Sequence, residues 1–272
     1  MTEPLVVAMG VSRRFGSGSA ATEAVRGASC AVYPHDRIAL IGPSGSGKST
    51  LLHLLGGIDL QSAGTISWPA LGPREGLRPG RIVDVFQGPS LLPPLSLIEN
   101  AQFPLLLQGM AVRDATVLAV AALERFGVAH LRDKLPEEIS AGQAQRVAIA
   151  RAVAARPALL LADEPLGQLD SITANEVLTA LLDSLAETGA AIIIATHDRR
   201  VAERLDILWE MNDGYLKLVW RALPDLGAGA PETTLGKAGW RDCRYRRLRC
   251  SSGESDWLLR LHARGHDASG DR

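Results

Sequence analysis

The chain has 272 residues and a formal charge of −1, with 46% hydrophobic and 22% charged residues, a composition typical of a globular protein of one large or two smaller domains. A sequence pI near 6.6 does not indicate the basic surface that nucleic acid requires, so we predict no nucleic-acid partner. No apolar run approaches the length of about 18 residues that crosses a bilayer, so we predict no membrane span. The start MTEPLVVAMG lacks the features of a secretory signal, and three cysteines fit a reducing compartment, so we expect the protein in the cytoplasm.

The first glycine-rich stretch is GSGSAA, which begins at Gly16. It loosely resembles a dinucleotide-binding fingerprint, which requires a strand immediately before its glycines. Because no convincing strand precedes it in the sequence, we interpret it as a plain surface loop.

The stretch RIALIGPSGSGKSTLLHLLGGI predicts a strand, a glycine-rich loop and a helix, in that order. The loop matches the phosphate-loop pattern G-x-x-x-x-G-K-[ST] in full. In this pattern the glycines let backbone amides surround a β-phosphate, Lys48 reaches the β and γ oxygens, and the Ser49 hydroxyl binds Mg²⁺. The alternative, a glycine turn that only joins a strand to a helix, is disfavoured because both flanks fit. The predicted ATP-binding residues here are Gly42, Pro43, Ser44, Gly45, Ser46, Gly47, Lys48, Ser49 and Thr50.

Residues 88 to 157 lose the strand signals and carry helical patterns. One predicted helix begins after Asp114 and ends at Gly127, and another follows it. In the later helix, Ser140 precedes an apolar periodicity and has Gln143 three residues on, which predicts a capping box. The free backbone N–H groups at the start of this helix indicate a site for an anion.

Two short apolar runs, PALLLADEP and AAIIIATHD, end in acidic or histidine residues, as expected for buried parallel strands with chemistry at their carboxyl ends. Asp163 would hold a metal through its water shell, and Glu164 is placed to polarise an attacking water, as phosphoryl transfer requires. His197 ends the second run, where it would contact a γ-phosphate. An acidic turn before proline and a strand-capping histidine are the structural alternatives, which the complete phosphate loop disfavours.

From about residue 221 the pattern breaks down, so we place a domain boundary there and expect a poorly ordered extension over 221–272. The histidine spacing in this extension suits zinc, but the cysteine spacing is wider than usual, so we do not predict a zinc site. The residues concerned are Cys243, Cys250, His262 and His266. We interpret the basic run RDCRYRRLRC as a solvated face, with contact to anionic lipid or to a membrane-protein loop as the alternative.

Five motifs, GPSGSGKST, VFQ, ISAGQAQRVAIARA, LLLADEPLGQLDS and ATHD, occur in an order and at separations that resemble the nucleotide-binding subunit of an ATP-binding cassette (ABC) transporter. The resemblance covers about residues 5 to 220. It implies an α/β fold with the P-loop NTPase core of the ABC ATPase type, in a domain of residues 1–220 with an inserted helical subdomain at about 88–157. It also implies hydrolysis of ATP to ADP and phosphate, with Mg²⁺ as cofactor.

In that family two subunits pack head to tail, so the resemblance implies a homodimer that encloses ATP. The signature residues of one copy, which would contact the γ-phosphate held by the other, are Ser140, Ala141, Gly142 and Gln143. The implied catalytic residues are Glu164, His197 and Gln87, and the implied metal ligands are Ser49, Gln87 and Asp163. Asp170 would lie at the dimer interface, and Phe15 would stack on adenine.

The signature departs from the family at Ala141, where glycine is usual. The added methyl group stands where the backbone would approach a phosphate, and it favours the helix by up to about 1 kcal/mol. This departure bears on how tightly a dimer would close. The turn PLGQLD also differs from the usual sequence, and we expect that change to be tolerated.

The phrases VFQGPSLLPPLSLIENAQFPLLL and ADEPLGQLDS further resemble the ATPases of macrolide and lipoprotein exporters. This implies a separate integral-membrane permease as partner, export, and a peripheral location on the cytoplasmic face of the cell membrane. Two alternatives stay open: a regulatory or cell-division ABC ATPase without transport, and a soluble ABC ATPase acting on a nonmembrane target. The cargo is not visible, because it would contact the permease.

Overall fold

The computed structural model describes residues 2–17, 21–88 and 90–220. These described residues form nine β-strands and six α-helices. In chain order they are β1 (Val6–Phe15), β2 (Thr22–Val32), β3 (Arg37–Ile41), α1 (Lys48–Leu55), β4 (Ala63–Ser67), β5 (Ile82–Val85), α2 (Leu97–Leu107), α3 (Val112–Arg125), α4 (Ala141–Ala154), β6 (Leu159–Asp163), α5 (Ser171–Thr188), β7 (Ala191–Thr196), α6 (Arg199–Ala202), β8 (Ile207–Asn212) and β9 (Tyr215–Trp220). The expected extension over 221–272, with its candidate zinc residues and its basic run, lies outside the described residues.

The larger sheet has the strand order β5-β6-β7-β3-β8-β9, in which neighbours are parallel except for β9, which is antiparallel to β8. Successive residues of β6 alternate between two apolar cores, with Leu160 and Ala162 in one and Leu159 and Leu161 in the other. Burial on both faces explains why β6 and β7 are continuous apolar runs in the sequence. The carboxyl ends of β5, β6, β7 and β3 therefore meet at one edge of this sheet.

A smaller antiparallel sheet has the order β2-β1-β4, and it shares an apolar core with α1 and one face of the larger sheet. We did not predict this sheet from the sequence. The expectation that no strand precedes Gly16 was wrong, because β1 ends at the residue before it. The next element along the chain is the antiparallel strand β2 and not a helix, so the dinucleotide fingerprint is still excluded.

Between β5 and β6, the described residues contain three α-helices and no strand. Leu105 of α2, Leu123 of α3 and Val147 of α4 are buried together in the core that covers one face of the larger sheet. Among the described residues, no helix combines the length and hydropathy that a bilayer-spanning segment requires.

Helix α3 begins three residues earlier than predicted. It starts at Val112, and Asp114 lies in its first turn instead of before it. The N-cap residue is Ala111, whose side chain cannot accept a hydrogen bond, so the sequence carries no start signal there. The predicted end is correct, since the helix stops at Arg125 and Gly127 adopts a φ of 67°.

Candidate functional site

The phosphate loop joins β3 to α1, and its shape requires glycine at Gly47. This residue has a φ of 102°, and a Cβ there would lie 2.1 Å from the carbonyl oxygen of Ala24 on β2. At Gly45, where φ is 77°, a Cβ would meet nothing within 4 Å. The loop is therefore packed tightly against β2 at one glycine and leaves open space beside the other.

Two polar side chains in this loop are buried without the partners that such groups usually have. Lys48 is 8% exposed, and its Nζ donates only to the backbone carbonyls of Gly42 at 2.8 Å and Pro43 at 3.0 Å. Among the described residues, no carboxylate pairs with this ammonium, and the Ser46 hydroxyl has no hydrogen-bond partner. A buried cation is stabilised by a nearby anion. Together with the open space at Gly45, these groups fit the phosphates of a nucleotide.

Glu164 follows the last residue of β6 and is fixed by three consecutive residues, the last two of β7 and the histidine that follows them. Its φ of 45° lies in the left-handed region, which costs a non-glycine residue about 1–3 kcal/mol. Its backbone N–H donates to the Ala195 carbonyl at 2.9 Å. Its Oε1 accepts from the backbone N–H of His197 at 3.0 Å and lies 2.7 Å from the ring Nδ1 of that residue, while its Oε2 lies 3.3 Å from the Thr196 hydroxyl. We assign the hydrogen of the imidazole to Nδ1, because the carboxylate can only accept.

The strand order brings four more predicted residues to the same edge of the larger sheet. Asp163 is the half-buried last residue of β6, and Gln87 is exposed two residues after the neighbouring strand β5. Ser49 and Thr50 lie in the first turn of α1, directly after the phosphate loop. Strand β7 lies between β6, which the two carboxylates end and follow, and β3, which precedes the phosphate loop. His197 directly follows β7, so it lies between the carboxylates and the loop.

The predicted capping box at the start of α4 is present. The Ser140 hydroxyl accepts from the backbone N–H of Gln143 at 3.3 Å, and the Ser140 N–H donates to Gln143 Oε1 at 2.9 Å. Ser140 is exposed, as is Ala141, the first residue of the helix. The helix start is thus ordered and open to solvent in the single chain.

Glycine matters more at position 142 than at position 141 within this chain. A Cβ on Gly142 would lie 3.2 Å from the carbonyl oxygen of Gln168 and 3.2 Å from Leu169 Cδ2, so the start of α4 packs closely on the turn that follows Glu164. Ala141 is an exposed helical residue. The departure from the usual signature is therefore compatible with the fold, and its effect on a dimer stays a prediction.

Asp170, predicted at a dimer interface, has a local role as the N-cap of α5. Its Oδ1 accepts from the backbone N–H groups of Thr173 at 3.0 Å and Ile172 at 3.1 Å. The hydrogen bonds from Thr173 hold the pKa of the Asp170 carboxyl below its usual range. The neighbouring Ile172 is 73% exposed, which is high for an isoleucine.

A contact that no sequence motif predicts joins α4 to the segment after β5. Arg151, near the end of α4, donates to the carbonyl oxygen of Ser90 at 2.9 Å and to its hydroxyl at 3.0 Å. Burial lowers the pKa of the Arg151 guanidinium. The helix that begins at the signature is therefore tied to the segment three residues after Gln87.

Phe15, the predicted adenine-stacking residue, ends β1 and is 44% exposed. The Arg13 guanidinium lies over its ring, with Cζ 4.4 Å from the ring centroid, and Arg13 Nε donates to Asp59 Oδ2 at 2.8 Å. An arginine fixed by a carboxylate therefore supports the ring through a cation–π contact. We had not predicted this support for Phe15.

We expect Arg13→Met to weaken ATP binding about two- to fivefold, because a cation–π contact at an exposed site contributes about 0.5–1 kcal/mol and here orders the Phe15 ring. The dissociation constant from a fluorescence titration measures this. Arg26→Met is the matched control, because Arg26 Cζ lies 5.5 Å from the ring centroid of Tyr215 in a similar pair that does not include Phe15. Equal affinities in wild type and Arg13→Met would contradict the expectation.

The chain is similar to known proteins that share its motifs and its fold. The family model described as ABC transporter matches residues 25–167. The chain belongs to the ABC transporter family. Its curated relatives include the lipoprotein-releasing system ATP-binding protein LolD of Legionella pneumophila (strain Lens), which is 40% identical over 223 residues, covering 79% of this chain and 98% of the relative. The LolD of Gluconobacter oxydans (strain 621H) is 44% identical over 214 residues, covering 76% of this chain and 93% of the relative.

The fold of this ABC family member is also similar to that of solved ABC structures. A dimeric structure of a post-hydrolysis state of the ATP-binding cassette MJ0796, bound to ADP and phosphate, matches with a TM-score of 0.74 and 29% identity, covering 80% of this chain and 100% of that one. The chain is thus an ATP-binding and ATP-hydrolysing cassette of this family. The predicted family, the α/β fold of the ABC ATPase type and the ATP hydrolase activity are confirmed.

Proposed function

We propose that the chain is the ATPase subunit of a membrane exporter, and that it works as a homodimer enclosing two Mg-ATP molecules. In each half, the phosphate loop of one copy binds the nucleotide and the α4 start of the other contacts its γ-phosphate. Two findings support this proposal: the similar MJ0796 cassette is dimeric, and relatives of the chain are named as lipoprotein-releasing system ATP-binding proteins. The partner is an integral-membrane permease, which gives the dimer a peripheral position on the cytoplasmic face of the cell membrane.

The observation that carries the proposal is the environment of Glu164. The carboxylate belongs to a residue in a strained backbone conformation and is aligned by donors from Thr196 and His197. These two residues stand at and directly after the end of β7, which adjoins the strand that precedes the phosphate loop. Strain of this kind clusters at functional sites. Such a group is suited to accept a proton from a water that attacks the γ-phosphate held near Lys48.

The other residues have complementary roles in this proposal. Lys48 supplies positive charge to the β and γ oxygens, and His197 donates to the same phosphate from Nε2 when both nitrogens of its ring carry a hydrogen. Mg²⁺, when bound, neutralises charge on the phosphate oxygens. Ser49, Gln87 and Asp163 offer it hydroxyl, amide and carboxylate oxygens, which are ligand types that Mg²⁺ accepts beside phosphates and water.

Solution mass measured by light scattering, with and without ATP, tests the dimer. In the hydrolysis-deficient Glu164→Gln background we expect ATP to convert monomer to dimer. Adding Ser140→Arg should abolish this conversion, because the side chain would stand where the phosphate of the other copy approaches. The control is Ser96→Arg, since Ser96 forms the same type of capping box with Glu99 at the start of α2. Removing a serine cap costs about 1 kcal/mol in either helix.

A dimer that forms equally well in the Ser140→Arg variant would contradict the proposed contact between copies. If both cap variants stay monomeric, loss of helix stability and not loss of the phosphate contact explains the result. In that case Ala141→Gly, which removes only a methyl group, should strengthen the dimer if α4 faces the nucleotide.

The membrane partner is tested by isolating the tagged Glu164→Gln protein from native membranes in the presence of ATP. We expect an integral-membrane permease to co-purify. If closure of the ATP-bound dimer stabilises the complex, less permease should co-purify with the Ser140→Arg variant. Recovery with a nonmembrane assembly alone would favour the soluble alternative. Recovery with a membrane protein whose deletion affects cell division and no export would favour the regulatory alternative.

A further inference from the structure

A buried threonine, Thr196, lies beside Glu164, and its two hydrogen bonds fix the direction in which its hydroxyl donates. Thr196 is the last residue of β7 and is 3% exposed. Its Oγ1 accepts from the backbone N–H of Asp198 at 3.0 Å and lies 3.3 Å from Glu164 Oε2. A hydroxyl that already accepts one hydrogen bond keeps its own hydrogen for donation, and a carboxylate oxygen is an acceptor. The direction of the contact follows: Thr196 donates to Glu164.

The two oxygens of this carboxylate are unequally occupied. Oε1 faces two donors from His197, the backbone N–H and the ring Nδ1, whereas among the described residues Oε2 contacts only the Thr196 hydroxyl. An ionised carboxylate offers about four acceptor positions, two on each oxygen. Both acceptor positions of Oε1 are thus occupied, and Oε2 keeps one acceptor position that no described residue occupies.

We propose that Thr196 is a positioning residue for hydrolysis: its hydroxyl fixes Oε2 of Glu164 so that the remaining acceptor position on that oxygen receives the proton of the attacking water. The inference rests on the proposed role of Glu164 as the general base. In the step concerned, the water oxygen bonds to the γ-phosphorus and the water proton passes to Oε2. The bond from the γ-phosphorus to the bridging oxygen breaks, and its electron pair leaves with ADP.

The carboxylate of Glu164 needs to be held in place, because its side chain has several rotatable bonds and the residue follows β6 in an unusual backbone conformation. Its Oε1 contacts are made by a histidine whose side chain is 77% exposed and which also has to face a phosphate. Thr196, in contrast, is buried within a strand of the sheet, and its hydroxyl is held by Asp198. The threonine therefore keeps Oε2 in place even when the histidine ring moves.

The steady-state kinetics of ATP hydrolysis by Thr196→Val test this inference, since valine keeps the shape and removes the hydroxyl. We expect kcat to fall about tenfold, as for loss of one hydrogen bond to a charged group, with KM for ATP within about twofold of wild type. Thr196→Ser, which restores the hydroxyl, should recover kcat to within about threefold. Ser184→Ala is the matched control, because it also removes a buried hydroxyl, 3% exposed, on α5.

A purely structural threonine would give a different pattern. Thr196→Val would then raise KM or lower the unfolding temperature, and the serine variant would not restore kcat. Thr196→Ala serves as a second variant if valine prevents folding, and a cooperative thermal unfolding transition shows that either variant is folded. Wild-type kcat in a folded hydroxyl-free variant overturns the inference.

The double variant separates this inference from the proposed function. In the Glu164→Gln background, Thr196→Val should cause no further loss of hydrolysis, because both changes act through the same carboxylate. If Glu164→Gln itself retains activity, the proposed general base is wrong. If Glu164→Gln is inactive and Thr196→Val has wild-type kcat, only the positioning role fails.

Discussion

Replacing Glu164 with glutamine is expected to lower steady-state ATP hydrolysis about 10²–10⁴-fold, the contribution typical of a general base, while ATP affinity changes little. The amide fits the observed contacts, since its oxygen can accept from both His197 donors and its NH₂ group can donate to the Thr196 hydroxyl. What it lacks is the ability to take a proton. Release of phosphate and a separate ATP titration measure the two properties.

The matched control for this change is Glu176→Gln, which removes a carboxylate from an exposed position on α5. It should leave both hydrolysis and ATP binding unchanged. If Glu164→Gln keeps more than about a tenth of the wild-type kcat, the loss of activity is smaller than the contribution of a general base. Another group would then accept the proton.

Lys48→Met is expected to raise the ATP dissociation constant about 10- to 100-fold, because hydrogen bonds to charged groups contribute about 1.5–3 kcal/mol. Methionine keeps the apolar stem at this buried position and removes the ammonium. Without nucleotide, the variant should be at least as stable as wild type, since a buried cation without a carboxylate partner has been removed. The increase in unfolding temperature on adding ATP should largely disappear.

Lys217→Met on β9 is the control for the loss of one positive charge, because Lys217 Nζ lies 3.5 Å from an exposed carboxylate of Glu210. Its ATP affinity and its nucleotide-dependent stabilisation should equal those of wild type. An unchanged ATP affinity in Lys48→Met, with normal stabilisation by ATP, would show that Lys48 does not contact the phosphates.

The parts of the fold predicted from the sequence are those whose signals are local. The phosphate loop is predicted from the motif between Gly42 and Ser49 together with the strand and helix patterns on either side of it. Strands β6 and β7 are predicted from uninterrupted apolar runs. The smaller sheet was missed because β1 and β2 mix polar and apolar residues. Their pairing also shifts register between Ala8 and Val11 and again near Arg13, which obscures any simple alternation.

The contacts that complete the candidate site were not predictable in this way. Thr196 and Glu164 are 32 residues apart, Arg151 and Ser90 are 61 apart, and each contact exists only because the sheet and helices bring distant segments together. The sequence motifs identify which residue types are present at each strand end. They do not say which oxygen of a carboxylate meets which donor.

The contacts of Glu164 depend on the register of β7 against β6. Ala195, Thr196 and His197 are consecutive, and each contacts a different atom of Glu164, while Ala195 is paired in register with Asp163. A slip of β7 by one residue against β6 would turn every side chain to the opposite face. The alignment of the carboxylate therefore depends on strand register, because no loop separates these three residues from the paired part of β7. Insertions in surface loops can be neutral, but a single residue added within β7 would separate all three contacts from Glu164 at once.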